Sequence, residues 1–162
     1  MSTKRGDIVS APESLEILVG PWTGKNRLWL SPNDPVRKSD SIASVSLVAH
    51  GKFITVAYTW AFDGKPQDGL LLLGHETKEK TVKAVWIDSW HMGDRFMICE
   101  GGADDEGIVS VKGLYSAPPG PDWGWRTVVD PKDGNSFEII MYNVTPDGEE
   151  ELAVEATYER RR

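Results

Sequence analysis

Cys99 is the only cysteine in 162 residues. No disulfide can close within the chain, so the fold has to rest on packing. Long apolar runs are absent too. The longest aliphatic run is Leu70 to Leu73, far short of the about 20 residues that a bilayer-spanning helix needs. No apolar stretch follows the Lys4-Arg5 pair, so no secretory leader is expected, and a lone thiol fits a reduced, cytoplasmic setting. Positive charge is in the minority, with 18 Lys and Arg against 25 Asp and Glu and a net charge of −7. Such a surface repels phosphate backbones, so nucleic acid is not an expected partner, and with no bilayer-length apolar run neither is a membrane. The one cationic cluster, Arg160-Arg161-Arg162, reads as a solvated tail. The chain carries no Gly-x-Ser-x-Gly elbow, no phosphate-binding glycine loop and no dinucleotide fingerprint, which removes the common nucleophile and nucleotide chemistries.

What remains is a β-rich chain of one domain. Residues 1–11 are polar and read as a flexible N-terminus, with a single domain over 12–162. Pro12 to Leu18 suits a short helix, with proline in its first turn and Leu15 and Leu18 on one face. Ten strand-like segments follow: 22–30, 41–49, 52–63, 67–76, 81–89, 95–101, 107–116, 123–130, 136–145 and 151–159. They are rich in Val, Ile, Thr and aromatic residues and are separated by turn signals such as Asp63-Gly64 and Pro146-Asp147-Gly148. No helical crossover fits between them, so the pairing is antiparallel. The last segment shows the alternation plainly: Leu152, Val154, Ala156 and Tyr158 lie on one face, with Glu151, Glu155 and Glu159 on the other. The expected fold is all-β, a single closed up-and-down antiparallel barrel of about ten strands. The short N-terminal helix would plug one end, and a mouth at the other would be ringed by the loops at 31–40, 90–93, 117–122 and 146–150.

Seven tryptophans stand out. Trp22 opens the first strand at the plugged end. Trp29, Trp60, Trp86, Trp90, Trp123 and Trp125 fall in the upper half, and Trp86, Trp123 and Trp125 have inward parity. An aromatic hollow with a few polar groups suits a small apolar or aromatic molecule. The candidate ligand-binding residues are Tyr58, Trp60, Trp86, Asp88, Trp90, His91, Trp123 and Trp125. Asp88 has inward parity, and with His91 three residues on it offers an alternative reading, an acid/base pair of an isomerase or hydrolase-like enzyme. Against that stands a turn-forming role for Asp88. His50 and His75 belong to the plugged end and His91 to the mouth, so they do not converge, and no metal or cofactor is expected. Trp29 has outward parity. A structural protein with a filled barrel, forming a homodimer through an outer face near Trp29 and Ile87, is a further alternative.

The run Leu15-x-x-Leu18-x-Gly20-x-Trp22-x-Gly24, with Gly74-His75-Glu76, Trp86-Ile87-Asp88-Ser89 and Tyr158-Glu159-Arg160, resembles a bacterial family of lipocalin-like (calycin) β-barrels of unknown function. The resemblance covers nearly the whole chain and implies a barrel of about ten strands with no settled activity. Gly20-x-Trp22 is also similar to the lipocalin signature, whose tryptophan packs on a late arginine. Trp22 opens the first strand and Arg160 lies just past the last, so an Arg160–Trp22 stack as a structural pair is expected. Nitrobindin-like haem barrels share the Gly-x-Trp-x-Gly opening but hold iron with a histidine near the C-terminal strands. This chain has no histidine after His91, so haem is not expected.

Overall fold

A computed structural model describes residues 9–76 and 78–162. After the two-residue β1 (Val9–Ser10) come β2 (Gly20–Leu28), β3 (Arg37–Val48), β4 (Phe53–Phe62), β5 (Lys65–Glu76) and β6 (Thr81–Asp88). They are followed by β7 (Met97–Ala103), β8 (Val109–Tyr115), β9 (Trp123–Asp130), β10 (Ser136–Val144) and β11 (Glu150–Arg160). Each of β2 to β11 pairs antiparallel with its neighbour in sequence, and β11 returns to β2. Ten strands therefore close a barrel, and closure satisfies both backbone edges of every strand. β1 pairs with Glu76 and His75 of β5. Part of the segment 1–11 lies outside the described residues; Ala11, inside them, is buried.

The alternation of small or apolar residues with polar ones sets which face turns inward. In β6, Val82, Ala84, Trp86 and Asp88 are buried, while Lys83 and Ile87 face out. The same period of two runs through β4 and through Val154 to Tyr158 of β11; a bulge at Ala153 breaks it there, so Ala153 is buried beside Val154 while Leu152, expected on the inward face, is only half-buried. β3 starts at Arg37, so four residues of the expected 31–40 loop are strand. They pair with Lys25 to Leu28 of β2, whose own strand character extends the ladder.

The short helix is a 3-10 helix over Glu13–Leu18. The seven residues between Pro12 and Gly20 are too few for a stable α-helix, and the tighter form suffices to bury Leu15 and Leu18. Gly20 has φ of +131°, a backbone conformation that only glycine adopts without strain. That turn drops Trp22 into the core, where it is fully buried, donates Nε1–H to the Leu18 carbonyl at 2.7 Å and meets Phe137 edge-on at 4.7 Å. Arg160 is the register partner of Trp22. Its guanidinium lies 4.3 Å from the Trp22 ring centroid and donates to the carbonyls of Ile17, Val19 and Gly134. One side chain thus ties the first strand, the last strand, the helix and the β9–β10 turn.

Candidate functional site

Asp88 ends β6 and is almost fully buried. Its two carboxylate oxygens do different things. Oδ1 accepts the backbone N–H groups of Trp90 and His91, both at 2.9 Å, which bends the chain into the turn after β6. Oδ2 accepts the Tyr58 hydroxyl at 2.7 Å and Trp60 Nε1–H at 3.2 Å from β4. Trp86 Nε1–H in turn donates to the Tyr58 hydroxyl at 2.8 Å. Four donors satisfy the buried carboxylate. Burial and the Asp88 charge push the Tyr58 phenol well above its usual range, so it remains a neutral donor.

β5 lies between Tyr58 and Asp88, yet the two touch. The reason is Gly69, the register partner of both. A Cβ at Gly69 would sit 2.3 Å from the Tyr58 hydroxyl oxygen. The missing side chain is the passage through which the phenol reaches across a strand.

The turn that Asp88 shapes carries Trp90 and His91 over the barrel interior. The half-buried His91 imidazole is surrounded by four indoles. It stacks on Trp60 at 5.3 Å, lies tilted to Trp86 at 5.6 Å and Trp125 at 5.2 Å, and meets Trp90 edge-on at 4.8 Å. Trp86 and Trp125 stack on each other at 5.1 Å with planes 10° apart. Among the described residues, no hydrogen bond reaches the His91 ring, and its link to Asp88 runs through its backbone N–H.

Below His91 lies a cavity lined on one side by Asn26, Tyr58, Trp60 and Asp88, and on the other by apolar residues of β10 and β11 such as Ile139 and Met141. Side chains of the barrel itself fill it almost completely. In this conformation it admits about one water. Among the described residues, Trp125 Nε1–H and the Thr127 hydroxyl are buried without a hydrogen-bond partner, and the buried Asn26 amide lines the cavity.

Of the candidate residues, Tyr58, Trp60, Trp86, Asp88, Trp90, His91 and Trp125 come together. Trp123 does not: it is half-buried at the start of β9, opposite Tyr115, and no ring contact joins it to the indole box. Sequence reasoning missed Asn26, Thr127 and Gly69. Asn26 and Thr127 sit at inward positions of β2 and β9, so a polar residue at an inward step of the alternation was the available signal. Gly69 gave no such signal, because its role depends on two neighbouring strands.

The family model described as protein of unknown function (DUF1579) matches residues 10–160. The chain belongs to the DUF1579 family. The crystal structure of Rv2717c from M. tuberculosis is similar to this DUF1579 barrel, with a TM-score of 0.64 and 18% identity over 96% of this chain and 100% of that one. At that identity the likeness concerns the fold. No curated protein matches.

In this DUF1579 protein, burial among the rings pushes the His91 imidazole from its ordinary 6.5 down to about 4, and the nearby Asp88 charge offsets this only in part. Between these two values the unfolded chain binds a proton that the folded chain refuses. The stability held by neutral His91 is therefore complete above pH 6.5 and falls by on the order of 2–3 kcal/mol as pH drops towards 4. Urea unfolding at neutral and acidic pH checks this against His91→Phe, whose ring takes no proton. The wild type should lose more stability than the variant, and parallel losses would count against it.

Proposed function

We propose that this protein binds a small, flat, uncharged aromatic molecule in the tryptophan box, entering where the turn after β6 swings aside. The observation that carries this reading is the occupant already present. A neutral heteroaromatic ring, the His91 imidazole, lies among four indoles with no hydrogen bond to hold it there among the described residues. The slot suits flat rings and disfavours charge, as the depressed His91 shows. Trp125 Nε1–H and the Thr127 hydroxyl are unmatched polar groups among the described residues, and Asn26 lines the cavity, so one polar edge of a ligand would find partners there. In this reading the barrel is a calycin-like carrier, cytoplasmic, with the Glu13–Leu18 helix closing the far end. Asp88 shapes the site without touching the ligand, and its four donors favour this over an acid/base role.

The test is quenching of tryptophan fluorescence by a panel of neutral bicyclic aromatics, together with imidazole added to His91→Ala. We expect saturable quenching in the wild type. We also expect imidazole to refill the emptied slot in the variant, raising its melting temperature with the logarithm of imidazole concentration once that exceeds the dissociation constant. If no panel member quenches the wild type and imidazole leaves the variant unchanged, the box is core packing and the barrel a filled one.

A further inference from the structure

We infer, on the reading of the tryptophan box as a binding site, that its ligand is a planar aromatic compound with a carbonyl oxygen on one edge, selected by Trp125 and Thr127 of β9. The hydrogen bonds around the box carry this. Three of the indoles that surround His91 are buried: Trp60, Trp86 and Trp125. Two of them use their N–H groups inside the protein, Trp60 on Asp88 Oδ2 and Trp86 on the Tyr58 hydroxyl oxygen. Tyr58 uses its own hydrogen on Asp88 Oδ2, and Asp88 Oδ1 accepts two backbone N–H groups. Trp125 Nε1–H is left over, with no acceptor among the described residues, and the Thr127 hydroxyl is in the same position. The two residues are 5% and 1% exposed. A buried donor without a partner is costly, so two of them on one strand mark a place where something else supplies the acceptor.

Both groups stand at the site. Trp125 and Thr127 occupy successive inward positions of β9, about 7 Å apart along the strand. Trp125 packs on His91, and Thr127 is the register partner of Met141; His91 and Met141 both line the cavity. One edge of a ligand that takes the place of the imidazole therefore spans the two. The other buried hydroxyls without a partner among the described residues, those of Ser14 and Thr81, lie at the plugged end and take no part. Counting hydrogens fixes the polarity of that edge. A carbonyl oxygen has two lone pairs and brings no hydrogen, so it accepts from both Trp125 and Thr127. A phenol adds a hydrogen along with its oxygen, and one of the three hydrogens is left without an acceptor. A pyrrole-type N–H leaves Trp125 unmatched altogether. Asp88 cannot take the surplus, because it already holds four donors. Asn26 of β2 presents a donor and an acceptor in its amide, and so leaves the preference unchanged.

Equilibrium dialysis of the whole chain against neutral bicyclic probes tests this: chromone, which has a ring carbonyl, indole, which has only an N–H, and naphthalene, which has neither. The wild type should bind chromone at least about tenfold more tightly than naphthalene, the effect of one well-formed hydrogen bond, and indole no better than naphthalene. Trp125→Phe and Thr127→Val should each lower the chromone-to-naphthalene ratio severalfold, and the ratio cancels any stacking lost with the indole. Thermal melting gives a readout that needs no ligand. Thr127→Val should melt no lower than the wild type, because it removes a buried hydroxyl that has no partner. A ratio unchanged in both variants would overturn the inference. So would a clearly lower melting temperature for Thr127→Val, since the hydroxyl would then hold a partner inside the fold. Equal binding of chromone and naphthalene would also overturn it, while leaving the tryptophan box a binding site without this selectivity. No binding of any probe, by the wild type or by His91→Ala, would remove the box as a site and the carbonyl preference with it.

Discussion

Replacing Asp88 with alanine should cost the folded barrel about 3–5 kcal/mol, the usual penalty for deleting one partner of a buried charged hydrogen-bond network. The carboxylate accepts from the Tyr58 hydroxyl, Trp60 Nε1–H and two backbone N–H groups. Alanine leaves all four donors facing each other in a space with little room for water. The turn loses its anchor at the same moment, so His91 should leave the indole box. Urea unfolding measures the first consequence, and the near-ultraviolet circular dichroism of the coupled tryptophans measures the second. Asp88→Asn keeps the shape but turns one acceptor into a donor, so it should fall between wild type and alanine. If Asp88→Ala cost under about 1 kcal/mol, the level of an ordinary surface hydrogen bond, the carboxylate would not be the link between turn and core.

Trp22→Ala should be comparably severe, about 3–5 kcal/mol as for other large aromatic truncations in a core. For a domain of this size that corresponds to a melting temperature lower by roughly 10 °C. The indole is fully buried, packs edge-on against Phe137, and its N–H satisfies the Leu18 carbonyl at the end of the 3-10 helix. Its removal also takes the ring from under the Arg160 guanidinium, whose remaining bonds are to backbone carbonyls. The helix is then held chiefly by Leu15 and Leu18, and protection of its amides from hydrogen exchange should fall. Differential scanning calorimetry checks the first effect. A variant that melts within about 3 °C of wild type would show that the barrel end closes without this ring, since such a shift corresponds to only about 1 kcal/mol at this size.

The strands of the barrel were legible in the chain because each carries its own alternation. β9 was read at its observed bounds, 123–130, and most other strands lay within two or three residues of theirs. β1 was not legible, since two residues carry no period. In the site, the inward parity of Trp86 and Asp88 was readable from β6 alone. Trp123 was read to line the site, but its strand opens at the barrel rim, where parity no longer decides what a side chain meets.

By itself, then, the sequence determined the strand set, the pairing of Trp22 with Arg160 at one end of the barrel, and an acidic side chain at an inward position just before a turn. Tertiary structure alone decided that Tyr58 reaches Asp88 through the gap at Gly69 and that His91 folds inward among four indoles. The physical reason is the same in each case. Alternation along a strand is a local property written every second residue, whereas the neighbour across a strand depends on register and ring closure, which pairings between distant segments fix together.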